Sequence, residues 1–233
     1  MIDIFVDKDS LLCQSSICVD FELSMEFGGG IKYYKEEIMK FKTVLFTAIS
    51  FFAIGIAQVN AAVEPPLLGG NLIWNIESIY YYVDPSAEKY ASNISQSAYN
   101  WCYTGYGFNR LYPNARTYYI TDSAMDIYSY NYPDGRNGVT YFIARTNVWT
   151  GDPYYVDPAS QNWLFNEIYL NDYNLLSKSN NQRQATITHE MGHVFGLDEN
   201  NGNQYSIMCQ ESAGRQVYTV QQVDNNAFNR KHP

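Results

Sequence analysis

Positive charge is scarce in this chain: 15 lysines and arginines stand against 24 aspartates and glutamates, for a net charge of −9 over 233 residues. An acidic balance gives no general attraction to phosphate backbones or anionic bilayers, which argues against nucleic acid or lipid as partners. Long apolar runs are scarce as well. The run Val44 to Ile56 is shorter than the roughly 20 residues that a membrane-spanning helix needs, and no second span follows it. Histidine occurs only three times, at His189, His193 and His232, which leaves none for a second histidine-built metal site.

Cysteine is nearly as sparse. Cys13 and Cys18 fall within residues 1–38, and Cys102 and Cys209 lie in the body of the chain. In an oxidising compartment this second pair is a disulfide candidate, with two buried thiols as the alternative. Export is expected because residues 39–61 read MKFKTVLFTAISFFAIGIAQVNA: Lys40 and Lys42, an apolar stretch, then small residues before a cleavage point after Ala61, as in a secretory signal peptide. Lys35-Glu36-Glu37-Ile38-Met39 back-translates, with permitted codons, to AAGGAGGAAATTATG, a ribosome-binding site ahead of an ATG. We therefore expect Met39 to be the start and residues 1–38 to be upstream leader; other genomic codons at Lys35 to Glu37 would remove that expectation. Residues 62–233 keep 10 basic and 16 acidic side chains, a net charge of 10 − 16 = −6. Their length suits one domain, and a secreted monomer is expected.

Within that body, residues 62–73 read as an N-terminal arm or short pro-segment and 74–233 as the domain proper. Ile79 to Val83 reads as a strand. Asp84-Pro85 supplies a helix N-cap and a first-turn proline. Ala87, Tyr90, Ala91, Ile94, Ala98 and Trp101 then share one face at helical spacing, as a helix covering a sheet would. Arg116 to Ile120, Val139 to Ala144 and Trp163 to Leu170 read as further strands, with a Gly/Pro/Asp loop from Asn147 to Gln161. A second helix is expected over Asn181 to Phe195. A last one should begin near Thr219, where Thr219 to Gln222 resembles a capping box and Val220, Val223, Ala227 and Phe228 form an apolar face. The 22 tyrosines read mainly as packing in half-buried strands. The expected fold class is α+β.

What the chain does contain is THEMGHVFGLDENNGNQYSIMCQ, Thr188 to Gln210. His189 and His193 are four residues apart, so on a helix they lie about 40° apart on one face and both imidazoles can reach one metal. Glu190 points to the side, where its carboxylate can act on a water beside that metal, the arrangement a zinc hydrolase needs. Gly192 leaves room for a close approach. Gly196 follows the last helical turn, where a residue of positive φ reverses the chain and lets a side chain three positions on swing back beneath the metal. That side chain is Glu199; Asp198, one residue early, is the competing ligand and His232 a remote one.

The run His189-Glu190-x-x-His193-x-x-Gly196-x-x-Glu199, followed by Ser206-Ile207-Met208, resembles the metzincin clan of zinc proteases, in particular its bacterial matrixin-like members. The resemblance covers most of residues 74–230, with its specificity in 189–208. It implies a mixed twisted sheet with a long backing helix, an active-site helix, a turn holding Met208 beneath the metal, and a C-terminal helix. It also implies zinc on His189, His193 and Glu199, with Glu190 as general base and a protein or peptide substrate extended along an edge strand at Trp163 to Leu170. The sequence departs from the clan at position 199, where the family carries His or Asp, and at Gln210, where some members carry tyrosine.

The expected function is thus a secreted zinc-dependent endopeptidase. A catalytically decayed scaffold acting as a binding protein, or a zinc amidase on cell-wall peptides, are the alternatives; retention of Glu190 argues against the first, since binding needs no general base. Asp152 and Asp157 could hold calcium, although their spacing matches no calcium loop and an acidic solvated turn is the simpler reading.

Overall fold

The computed structural model describes residues 63–107 and 115–233. The leader and signal-peptide expectations lie outside the described residues. Among those residues, no helix is long and apolar enough to cross a membrane.

The fold is α+β, built on a six-stranded mixed sheet. Its strands are β1 (Tyr80–Val83), β2 (Ala115–Thr117), β3 (Met125–Tyr130), β4 (Gly138–Arg145), β5 (Pro153–Tyr155) and β6 (Phe165–Asn171), in the order β2-β1-β3-β6-β4-β5. The first four strands in that order run parallel; β4 is antiparallel to β6, and β5 to β4.

Among the described residues, four α-helices accompany the sheet: α1 (Ala91–Cys102), α2 (Asp172–Leu175), α3 (Asn180–Val194) and α4 (Gln222–Lys231). Asp84 caps as expected, accepting from Ser86 N, but the first six residues after it, Pro85–Tyr90, form a 3-10 turn before α1 begins. Ile94, Ala98 and Trp101 are fully buried along α1 and join Ile127, Ile168, Leu170, Ile187 and Met191 in one core. A polar seam ties α1 to α3. Ser97 Oγ donates to Gln184 O at 3.2 Å, Thr188 Oγ1 to Ser97 Oγ at 2.9 Å and Trp101 Nε1 to Thr188 O at 2.9 Å. These bonds satisfy the polar groups that burial would otherwise leave costly, and they fix the helix that carries the histidines.

Three expectations need correction. The strand Met125–Tyr130 is absent from the reading of the sequence, yet it lies near the centre of the sheet, between β1 and β6. Arg116 to Ile120 is strand only as far as Thr117, and Ile120 opens a 3-10 turn. Most consequential, β6 is not an edge strand. Its residues pair with β3 on one side and β4 on the other, so the segment Trp163 to Leu170 has no backbone edge to offer a substrate. The open edge belongs to β4, because β5 covers only Ile143 to Arg145.

The arm, residues 63–72, is docked onto the domain. Leu68 N donates to Gly196 O, Asp198 N donates to Pro66 O, and Leu67 forms an antiparallel bridge with Leu197. On the outer face of the sheet the tyrosines pack on one another, Tyr128 stacked on Tyr169 at 5.1 Å between ring centroids and Tyr141 edge-on to Tyr169 at 5.7 Å. The packing role read for the tyrosines holds for this group, whereas twelve others, Tyr118, Tyr119 and Tyr155 among them, are exposed.

Candidate metal centre

Helix α3 starts at a complete capping box: Ser179 accepts from Gln182 N, and Gln182 Oε1 accepts from Ser179 N. It ends at Phe195, and Gly196 follows with φ of 84°. His189 and His193 face the same side of its last two turns, with ring centroids 4.8 Å apart. Gly192, between them on the core side, admits Met208: a Cβ there would lie 2.3 Å from Met208 Sδ and 3.0 Å from Trp101 Cζ2. The fully buried Met208 therefore packs against the helix that carries the two histidines.

The tautomers follow from the backbone. His189 Nδ1 lies 2.9 Å from Ile207 O, and His193 Nδ1 lies 2.9 Å from Leu197 O. A carbonyl oxygen only accepts, so each Nδ1 carries a proton, and in the neutral ring Nε2 is the nitrogen left with a lone pair. Those two Nε2 atoms are 3.2 Å apart, and Glu199 Oε1 is 3.5 Å from both. Donors about 2.0 to 2.2 Å from a tetrahedral zinc ion are separated by about 3.3 to 3.5 Å. Three lone-pair sites thus converge at the spacing of a zinc face, and the other Glu199 oxygen, Oε2, is buried without a hydrogen-bond partner. The donor set fits a divalent metal.

The electrostatics agree. Burial opposes charge on His193, yet the Glu199 carboxylate beside it, with Glu190 behind, brings its pKa up to about 9. Burial likewise opposes charge on Glu199, and the two imidazoles outweigh it, holding this carboxyl far below the usual range. The pocket is built to keep Glu199 anionic and to accept a cation.

Each ligand has a support beyond the donor atoms. Gln210 Nε2 donates to Glu199 Oε1 at 3.0 Å, and the Gln210 amide is oriented by Asn201, whose Nδ2 donates to Gln210 Oε1. Gln210 therefore orients the carboxylate ligand. Ile207, which holds His189, is itself held: the buried Asp224 accepts from Ile207 N at 2.9 Å, from Gln221 N at 2.8 Å and from the Ser206 hydroxyl. Gln221, rather than Thr219, is the N-cap of α4, so the cap falls two residues later than the capping-box pattern suggests.

Glu190 lies beside these donors with its own fixing. The Thr140 hydroxyl is 2.8 Å from Glu190 Oε2 and 3.1 Å from the Glu190 carbonyl oxygen. Gly138 makes room for the carboxylate, since a Cβ there would be 2.9 Å from Glu190 Cγ and Oε1. The residues converge on an open cleft of about 440 Å³ between β4, α3 and the segment after Met208.

His189, Glu190, His193 and Glu199 are therefore brought together. Asp198 also lines the cleft, but its Oδ1 accepts from Glu199 N at 2.8 Å, and among the described residues the cluster suited to a metal is His189, His193 and Glu199. His232 is elsewhere, its Nε2 bonded to Phe195 O at 2.8 Å. Asp157 caps its own turn, accepting from Ala159 N and Ser160 Oγ, as a solvated turn does. Of the two alternatives left open for Cys102 and Cys209, the structure has the thiols, Cys209 buried and Cys102 partly so. They face different surroundings, Cys102 beside Tyr81 at the end of α1 and Cys209 beside Arg215 and Glu199.

Reading the sequence missed Thr140, Gln210 and Asp224. Asp224 left a trace, a carboxylate four residues after Val220 on an otherwise apolar helical face; Thr140 left none, since it meets Glu190 only through the fold.

No family model matches the chain, and no curated protein matches it. Among solved structures, one described as "GM1 bound form of the ECX AB5 holotoxin" is similar to this chain at 14% identity and a TM-score of 0.45, over 73% of this chain and 87% of that one.

Proposed function

We propose that this protein is a secreted, zinc-dependent endopeptidase of the metzincin type, matrixin-like, with a His189/His193/Glu199 ligand set. The observation that carries the reading is the convergence of those three lone-pair donors beside a carboxylate, Glu190, that is held clear of them by Thr140. Zinc so held supplies Lewis acidity, polarising a scissile carbonyl and acidifying a water. With Oε2 engaged by Thr140, Glu190 has Oε1 to accept the proton of the attacking water and return it to the leaving amine.

The substrate strand belongs on β4. Asn137 O and Ile143 O accept bonds from the β6 side, whereas Phe142 O accepts from Val156 on the other side. By strand alternation the backbone groups of Gly138 and Thr140 point away from β6, into the cleft. An extended peptide can add there as a further strand. The signal-type segment 39–61 supports export.

The test is zinc stoichiometry and casein cleavage for the chain from Ala62 onward. Glu199→Ala should lose both metal and cleavage while Asp198→Ala keeps both. Glu190→Ala should keep zinc and lose at least about a thousandfold in kcat/KM. A wild-type protein that binds no zinc and cuts nothing would replace this reading with that of a binding scaffold.

A further inference from the structure

Arg215 follows Met208 by seven residues and lines the cleft together with Glu190, Glu199 and Glu211. Its Nη1 makes two long bonds, to Ile207 O at 3.4 Å and Cys209 O at 3.3 Å. A guanidinium has five N–H donors. Among the described residues no carboxylate lies within ion-pairing distance of it. Glu211 is engaged elsewhere, by Lys178 at 2.8 Å and by Asn137 at 2.6 Å. Burial pushes the Arg215 guanidinium below its ordinary pKa, with the nearby carboxylates opposing.

The charges around the cleft can be set against one another. A divalent ion offsets Glu190 and Glu199, and Lys178 offsets Glu211. Asp198, the remaining cleft carboxylate, is not among the groups that act on Arg215, which is left as a partly desolvated cation without an ion-pair partner among the described residues.

Its position along the cleft decides which part of a substrate meets it. Arg215 is tied to the Gly138 end of β4 through Glu211: Asn137, which directly precedes β4, donates to Glu211 at 2.6 Å, and Glu211 is the carboxylate that acts most strongly on Arg215. Antiparallel pairing is the stronger sense for an added strand, and in that sense the substrate's C-terminal half lies at the Gly138 end of β4. That is the end at which Asn137 bonds Glu211.

Resting on the endopeptidase reading above, we propose that Arg215 is a specificity-determining residue that selects substrates carrying a carboxylate just after the scissile bond. The carboxylate is either an Asp or Glu side chain at that position, as endopeptidase action requires, or the C-terminal carboxylate of the chain itself, in which case the same zinc chemistry removes a C-terminal residue. A planar guanidinium suits bidentate capture of such a group.

The test uses three peptide hydroxamates, whose hydroxamate anchors on the metal and so fixes the register. One carries glutamate with an amidated C-terminus, one glutamine with an amidated C-terminus, and one glutamine with a free C-terminus. Dissociation constants are measured by calorimetry on wild-type protein purified after expression of the full chain, and on Arg215→Gln and Arg215→Lys. In the wild type the glutamate or free-acid compound should bind at least about tenfold tighter than the amidated glutamine compound. Arg215→Gln should bring that ratio close to one, and Arg215→Lys should keep part of it. Which of the two acidic compounds gains names the source of the carboxylate.

Equal binding of all three by the wild type, or an unchanged ratio in Arg215→Gln, overturns the proposal and leaves the metal site standing. No hydroxamate binding at all, with no zinc in the protein, overturns the endopeptidase reading and this proposal with it.

Discussion

The proposed metal has two arms that are built differently. His189 and His193 stand on one helix with a complete capping box and a hydrogen-bonded seam to α1. Glu199 stands on an irregular segment held by contacts remote in sequence: the arm at Pro66 and Leu68, and Gln210 through Asn201. The helical arm rests mainly on local rules, with one remote hold, the Ile207 carbonyl on His189 Nδ1, which Asp224 supports from α4. The loop arm is correct only when several distant segments have docked.

The widest test of this contrast is Asp224→Ala. It would leave the Ser206 hydroxyl and the amides of Ile207 and Gln221 without their acceptor in a buried site, at a cost of about 3 to 5 kcal/mol. Denaturant unfolding should report that loss. Zinc affinity should fall with it, because Ile207 O orients His189.

Gln210→Ala should act more narrowly. Removing a support of this kind lowers metal affinity by about tenfold, and unfolding in the absence of zinc should change by less than about 1 kcal/mol. Competition with a zinc-binding dye would measure the first. Equal affinity in the variant would mean that Glu199 is held by its backbone alone.

On the helical arm, Ser179→Ala should lower stability by about 1 kcal/mol through the lost cap and leave zinc affinity unchanged. A matching loss of zinc binding would erase the distinction between the arms.

Asp126→Asn probes the sheet under both. Burial pushes the Asp126 carboxyl up to about 7 from 3.8, against the Ser123 hydroxyl, with Glu167 adding to the rise. A carboxyl whose folded pKa is raised favours the protonated form on folding. Its contribution is fully present below about pH 4 and is lost as pH rises through 7. The neutral asparagine escapes that loss. Melting temperatures should therefore match at pH 4, and the variant should gain a few degrees above pH 7.

The same division marks what the sequence made legible. Helix α3, its histidines and the glycine that ends it follow from spacing and turn chemistry, and the place of Glu199 follows from its distance beyond Gly196. The central strand β3 escaped because Asp126 and Ser129 interrupt its apolar alternation; Asp126 is buried although charged residues seldom are. The placement of β6 at an edge failed for another reason. Order within a sheet is settled by which strands meet, and alternation along one strand carries no record of its neighbours. Whether Cys102 and Cys209 pair stayed open for the same reason, since separation in space is not written in spacing along the chain.

The arm and the last helix meet beside the metal-bearing loop. Arg230 pairs with Glu64, and Lys231 Nζ donates to Gly70 O at 2.7 Å and also to Leu68 O. Lys231 also packs over Gly196, where an added Cβ would lie 2.5 Å from its Cε. The two ends of the domain act as a clasp, closed over the loop that carries Glu199. Resistance to proteolytic trimming is therefore set at that clasp: a nick in either end would open the loop before it disturbed the sheet.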